Sequence, residues 1–175
     1  REDSMSEVKE YSLPGVKTHD LRLMPDERGF FSEAIRKDWG ELLEEDNIAQ
    51  VNLSLSYLGM IRAWHRHVRG QIDYFLVLQG AMKICAYDDR KDSPGTRGRL
   101  VEIVSSSQKP QIVRIPGIYW HGTKAIGNEP ALVVYFVNRL YDYKSPDEER
   151  RPWDDATIID PNTGAPFDWN RPSHN

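Results

Sequence analysis

No apolar run in this chain goes far before a turn interrupts it, and that punctuation constrains the fold more than any other feature. Val51, Leu53 and Leu55 alternate with Asn52, Ser54 and Ser56, the period-two pattern of a half-buried strand. Leu58-Gly59 turns the chain, and residues 60–67 read as a second strand. Residues 74–78 are apolar and stop at Gly80, residues 82–87 follow, and the pair reads as a hairpin. Past a loop at Asp92-Ser93-Pro94-Gly95, residues 100–104, 112–115 and 132–137 give further strands, with a turn at Pro116-Gly117. Only residues 38–45, with Trp39, Leu42 and Leu43 on one side, carry a helical pattern. Many short strands with turns between them predict an all-β sandwich or barrel with one short helix. From Ser145 the chain is rich in Pro, Asp, Asn and Trp without periodicity. Residues 146–175 are therefore expected to wrap irregularly over the barrel, partly ordered by Trp153 and Trp169, with a frayed end.

The chain has 175 residues, enough for one domain with a real core. That domain is expected over residues 5–175, with residues 1–4 left over from expression and Met5 the native start. Charged residues make up 29% and the net charge is -4. A phosphate-backbone partner would call for a basic excess, so no nucleic-acid partner is expected. No apolar run approaches membrane-spanning length, so no membrane partner is expected either. The N-terminus carries no apolar signal region. The lone Cys85 permits no intramolecular disulfide and sits in a strand-like run, so it reads as a buried, inert thiol in a cytoplasmic protein.

His65 and His67 share one face of their strand, since alternate residues point the same way. His121 follows the Pro116-Gly117 turn. The two segments resemble the two halves of the cupin signature, which implies a double-stranded β-helix, or jelly-roll, barrel with imidazoles gathered at its mouth. Taken alone, each histidine reads as a surface or satisfied core residue; a same-face pair plus a third points to a site. Two chemistries suit it. His65, His67 and His121 with Gln71 as fourth ligand match a divalent transition metal. The same imidazoles also titrate near neutral pH and serve acid–base catalysis without a cofactor.

Further segments resemble one family. Asp26-Glu27-Arg28-Gly29-Phe30-Phe31-Ser32-Glu33, Gln50-Val51-Asn52-Leu53-Ser54 and Gly59-Met60-Ile61-Arg62-Ala63-Trp64-His65 are similar, in order and spacing, to segments of the dTDP-4-dehydrorhamnose 3,5-epimerases. So are the Asp88-to-Pro94 turn, the 115–122 segment, the strand bearing Tyr135, and Trp153-Asp154-Asp155. The resemblance implies an isomerase of deoxysugar biosynthesis acting on a nucleotide-linked 4-keto-6-deoxysugar, and a homodimer sharing residues across its interface. It makes His65 the base beside the ketone and Tyr135 the acid on the opposite face, with Tyr141 or Tyr143 as alternative acids. His121 would help to stabilise the enolate oxygen. Arg28 and Arg62 would grip the diphosphate, while Glu33, Gln50 and Asn52 would position the nucleotide or sugar.

The chain also departs from that family. His67 stands where a glutamine is usual, Asp73 replaces a lysine that stabilises the enolate, and Ile84 takes an aspartate position. No aspartate partner for His65 is legible in the C-terminal segment. The Arg62-to-His67 pattern also resembles the sugar-nucleotide 3,4-ketoisomerases, in which His65 and His67 would shuttle the proton together.

Overall fold

The computed structural model describes residues 8–171, so the expected start at Met5 and the frayed end lie outside it. The described chain runs β1 (Val8–Glu10), β2 (Lys17–Asp20), β3 (Met24–Asp26), β4 (Gly29–Phe31), α1 (Gly40–Leu43), β5 (Gln50–Ser56), β6 (Ile61–Arg66) and β7 (Ile72–Gln79). It continues through β8 (Ala81–Tyr87), β9 (Leu100–Ser106), β10 (Gln111–Pro116), β11 (Trp120–Ile126), β12 (Ala131–Val137) and β13 (Glu149–Arg150). A six-stranded sheet, β1-β2-β10-β7-β12-β5, faces a five-stranded one, β13-β6-β11-β8-β9, and β3–β4 stands apart as a small hairpin. All pairs are antiparallel. This is the expected jelly roll: from β5 to β8 successive strands alternate between the two sheets.

That alternation corrects one expectation. β7 and β8 meet at Gly80 but do not pair; β7 pairs with β10 and β12, β8 with β9 and β11. The chain turns a corner from one sheet to the other. Gly80 permits it at φ +73°, and a Cβ there would sit 2.7 Å from the Pro130 carbonyl oxygen. Both strands are apolar along most of their length because each is covered on both faces. Between the sheets lie Phe75, Val77, Met82, Ile84, Ile103, Val113 and Ile115. Outside the six-stranded sheet, Leu42 and Leu43 of α1 cover Tyr74, Leu76 and Ile112. Outside the five-stranded sheet, Ile158, Phe167 and Trp169 of the C-terminal wrap cover Trp64, Cys85, Tyr87 and Trp120.

Trp169 anchors the wrap, tilted against Trp64 and edge-on to Phe167, whereas Trp153 is exposed and does not. The wrap also carries order of its own, since β13 adds an edge strand to β6. Burial pushes the Cys85 thiol well up, in keeping with an inert core sulfur. Helix α1 is a single turn, shorter than the 38–45 pattern suggests. The period-two pattern of β5 is present but turned about: Val51, Leu53 and Leu55 face outward, exposed, while Asn52 and Ser54 face the barrel interior.

Candidate active site

The core fills one end of the barrel and leaves the other open as a cleft of about 710 Å³. Its walls come from both sheets. The six-stranded sheet supplies Gln50, Asn52 and Ser54 from β5, Asp73 and Phe75 from β7, and Tyr135 from β12. The five-stranded sheet supplies Arg62 and His65 from β6 and His121 from β11. His65 and His121 are register partners across β6 and β11, so strand pairing itself sets the two rings side by side. His67 follows β6 directly and is fixed by Gly117: its N–H donates to the Gly117 carbonyl at 2.7 Å, and the Gly117 N–H donates to Gln71 at 2.8 Å. A Cβ on Gly117 would lie 2.8 Å from the His67 Cβ, so this approach admits glycine alone.

The expected site residues divide in two. His65, His67, His121, Tyr135, Gln50, Asn52, Arg62 and Gln71 all line the cleft. Arg28 and Glu33 do not. They belong to the outlying β3–β4 region, where Arg28 pairs with Asp26 at 2.7 Å and Glu33 with Arg36 at 2.9 Å, exposed and away from the cleft of the same chain. Of the alternative acids, Tyr141 lies at the cleft and donates its backbone N–H to Gln50 at 3.0 Å, while Tyr143 is 88% exposed and outside it.

Three carboxylates lie beside the cleft histidines. Glu148 Oε1 stands 3.1 Å from His65 Nδ1, a close contact without hydrogen-bond alignment. The partner that the C-terminal sequence did not disclose is thus a glutamate just before β13. Asp147 accepts the Val68 and Arg69 N–H groups, both at 2.9 Å, and its carbonyl accepts from His67 Nδ1 at 2.6 Å. Asp73 lies buried at the cleft floor, 3.4 Å from His121 Nε2 and 3.8 Å from His67 Nε2, with Gln71 donating to its other oxygen at 2.8 Å. Ring nitrogens of His67 and His121 and a carboxylate oxygen of Asp73 converge within 4.8 Å of one another, a group that differs from the expected set of His65, His67, Gln71 and His121. Gln71 turns its amide N–H toward Asp73 and so braces the carboxylate.

The electrostatics follow from burial. Burial, then the neighbouring His121, holds the His65 imidazole below its ordinary value, and Glu148 works the other way. The lowered value favours the neutral imidazole, the form that can accept a proton. Burial alone would raise the Asp73 carboxyl, but His121 and His67 outweigh it and keep the group below the usual carboxylate range. Burial and then the Asp73 charge raise the Tyr135 phenol, which keeps its proton available to donate. His65 stands on one sheet and Tyr135 on the other, across the cleft.

The chain is similar to known proteins along most of its length. Residues 10–161 match the family model of dTDP-4-dehydrorhamnose 3,5-epimerase. A probable low-salt glycan biosynthesis epimerase of Haloferax volcanii is 44% identical, covering 93% of this chain and 98% of its own. A spore coat polysaccharide biosynthesis protein of Bacillus subtilis is 36% identical, covering 90% and 97%. A solved dTDP-4-dehydrorhamnose 3,5-epimerase of Bacillus anthracis, with TDP and PPi bound, superposes with a TM-score of 0.77 at 28% identity, covering 89% of each chain.

Proposed function

The chain belongs to the dTDP-4-dehydrorhamnose 3,5-epimerase family, an isomerase class, and from that premise we propose that it epimerises a nucleotide-linked 4-keto-6-deoxysugar through His65 and Tyr135. The observation that carries the proposal is their placement: a neutral, carboxylate-backed imidazole on one sheet faces a protonated phenol on the other. A base and an acid on opposite walls remove and return a proton on opposite faces of a carbon, which inverts it. The carbon acid needs a base free to accept, and His65 is held in that form. Arg62, joined along the cleft by Arg69, Arg139 and Arg150, offers guanidinium groups to a diphosphate. His67 fits a proton-shuttling ketoisomerase less well, because Nδ1 is committed to Asp147 and Nε2 faces Asp73.

Arg28 and Glu33 gain a role if two copies pair. Strand β5 is an open sheet edge whose outer face, Val51, Leu53 and Leu55, is uncovered. Such an edge favours association with another strand or sheet. We place a second copy there, with its β3–β4 hairpin bringing Arg28 toward the first copy's cleft.

Mixed in heavy water with dTDP-4-keto-6-deoxyglucose, the enzyme is expected to place deuterium at C3 or C5 of the sugar. His65→Asn is expected to lower that exchange by about 10²–10⁴-fold while leaving the circular dichroism unchanged. Exchange no faster than the enzyme-free control, across several nucleotide sugars, would sink the proposal.

A further inference from the structure

Asp73 is 3% exposed, yet among the described residues it pairs with no lysine or arginine, and it accepts a hydrogen bond from the Gln71 amide. A buried carboxylate of this kind needs either a cationic partner or a bound metal. Only two imidazoles approach it, and their orientation sharpens the problem. His67 Nδ1 lies 2.6 Å from the Asp147 carbonyl and His121 Nδ1 lies 2.9 Å from the Tyr119 carbonyl. A carbonyl oxygen can only accept, so both Nδ1 atoms carry the hydrogen. In the neutral rings, each Nε2 is then a bare lone pair. Where both rings are neutral, two lone pairs and a carboxylate oxygen converge on one small volume and repel unless a cation, either a metal ion or a proton on one Nε2, stands between them.

We propose that His67 Nε2, Asp73 Oδ2 and His121 Nε2 form a binding site for one divalent first-row transition-metal ion. The separations favour an ion over a shared proton. At 3.4 and 3.8 Å, the Oδ2 contacts are longer than N–H···O hydrogen bonds, about 2.7–3.2 Å. Ligand atoms about 2.0–2.2 Å from a tetrahedral metal stand about 3.4 Å from one another. The three donor atoms all lie within 4.8 Å of one another. Each donor is also braced from behind, the histidines by main-chain carbonyls and Asp73 by Gln71, which is how ligating imidazoles and carboxylates are usually held. Two neutral imidazoles and one carboxylate suit Zn²⁺, Fe²⁺ or Co²⁺, and the cleft side leaves a coordination position open. His65 is outside this set; its Nδ1 faces Glu148.

The inference rests on donor geometry and not on the sugar chemistry, so the two fail separately. The test is elemental analysis of full-length protein purified without chelator, followed by titration of chelator-treated protein with Zn²⁺ by calorimetry and with Co²⁺ by visible absorbance. One ion per chain is expected, with His-nitrogen ligation in the Co²⁺ spectrum. Asp73→Asn and His121→Asn are each expected to weaken binding by at least about 10–100-fold, whereas His65→Asn binds as the parent does. If either variant fails to fold, the parent's stoichiometry and Co²⁺ spectrum decide alone. No saturable binding at millimolar Zn²⁺ would leave an imidazolium as the buried cation and overturn the proposal, as would binding undiminished in folded Asp73→Asn. Deuterium exchange without metal, or metal without exchange, tells this inference from the functional one.

Discussion

In the proposed reaction Glu148 touches His65 and not the sugar. If His65 is the base, the Glu148 carboxylate stabilises the imidazolium it becomes, so Glu148→Gln, nearly the same in shape, is expected to slow exchange by about 10–100-fold with little change in KM. Steady-state kinetics on the variant checks this, and a changed KM at unchanged kcat would speak against it. Gly117 matters for space. Gly117→Ala drives a methyl into His67 and the Gln71 carbonyl, at a cost of about 1–3 kcal/mol in urea unfolding. The histidines were legible in the sequence because alternation puts His65 and His67 on one face. Glu148 was not, because Asp147-Glu148-Glu149-Arg150-Arg151 reads as a solvated charge run. Only the pairing of β13 with β6 turns its first residues inward.

Elements show the same limit. The strands were legible from period and punctuation; their sheet membership was not, since the turn at Gly80 looks alike whether the chain folds back in one sheet or crosses to the other. Strand β5 kept its period while reversing its faces, because its inner side lines a polar cleft instead of the core. The C-terminal wrap has a stability signature of its own. The Thr157 hydroxyl, then Arg151, lowers the Asp155 carboxyl from 3.8 to about 2. A depressed carboxyl stabilises the fold above its unfolded value and loses that contribution as pH falls through its folded value. Asp155→Asn is thus expected to cost up to about 2 kcal/mol at pH 7, with the gap to the parent closing between about pH 4 and pH 2. Urea unfolding of both proteins across that range measures it, and a gap independent of pH would contradict the assignment.

At the scale of the whole molecule, two sheets and two covers enclose the barrel, and the outer face of β5 remains bare. The proposed pairing predicts a dimer in sedimentation velocity, and Leu53→Glu, which sets a charge in the middle of that face, is expected to give monomers. If Arg28 serves the neighbouring cleft, those monomers also lose affinity for dTDP; a monomer that binds dTDP unchanged would return Arg28 to a plain surface role. The jelly roll was legible from the punctuated strands, and the family from the order of its motifs. The position of Arg28 outside the cleft of its own chain was not, since a motif does not record where its residues lie in the fold. The order of the chain has one more consequence. A chain is made from its N-terminus, and all the long strands are complete by Val137, whereas Glu148 comes later on the wrap. A growing chain can therefore close its barrel before His65 meets its carboxylate: this protein becomes a fold first and a catalyst second.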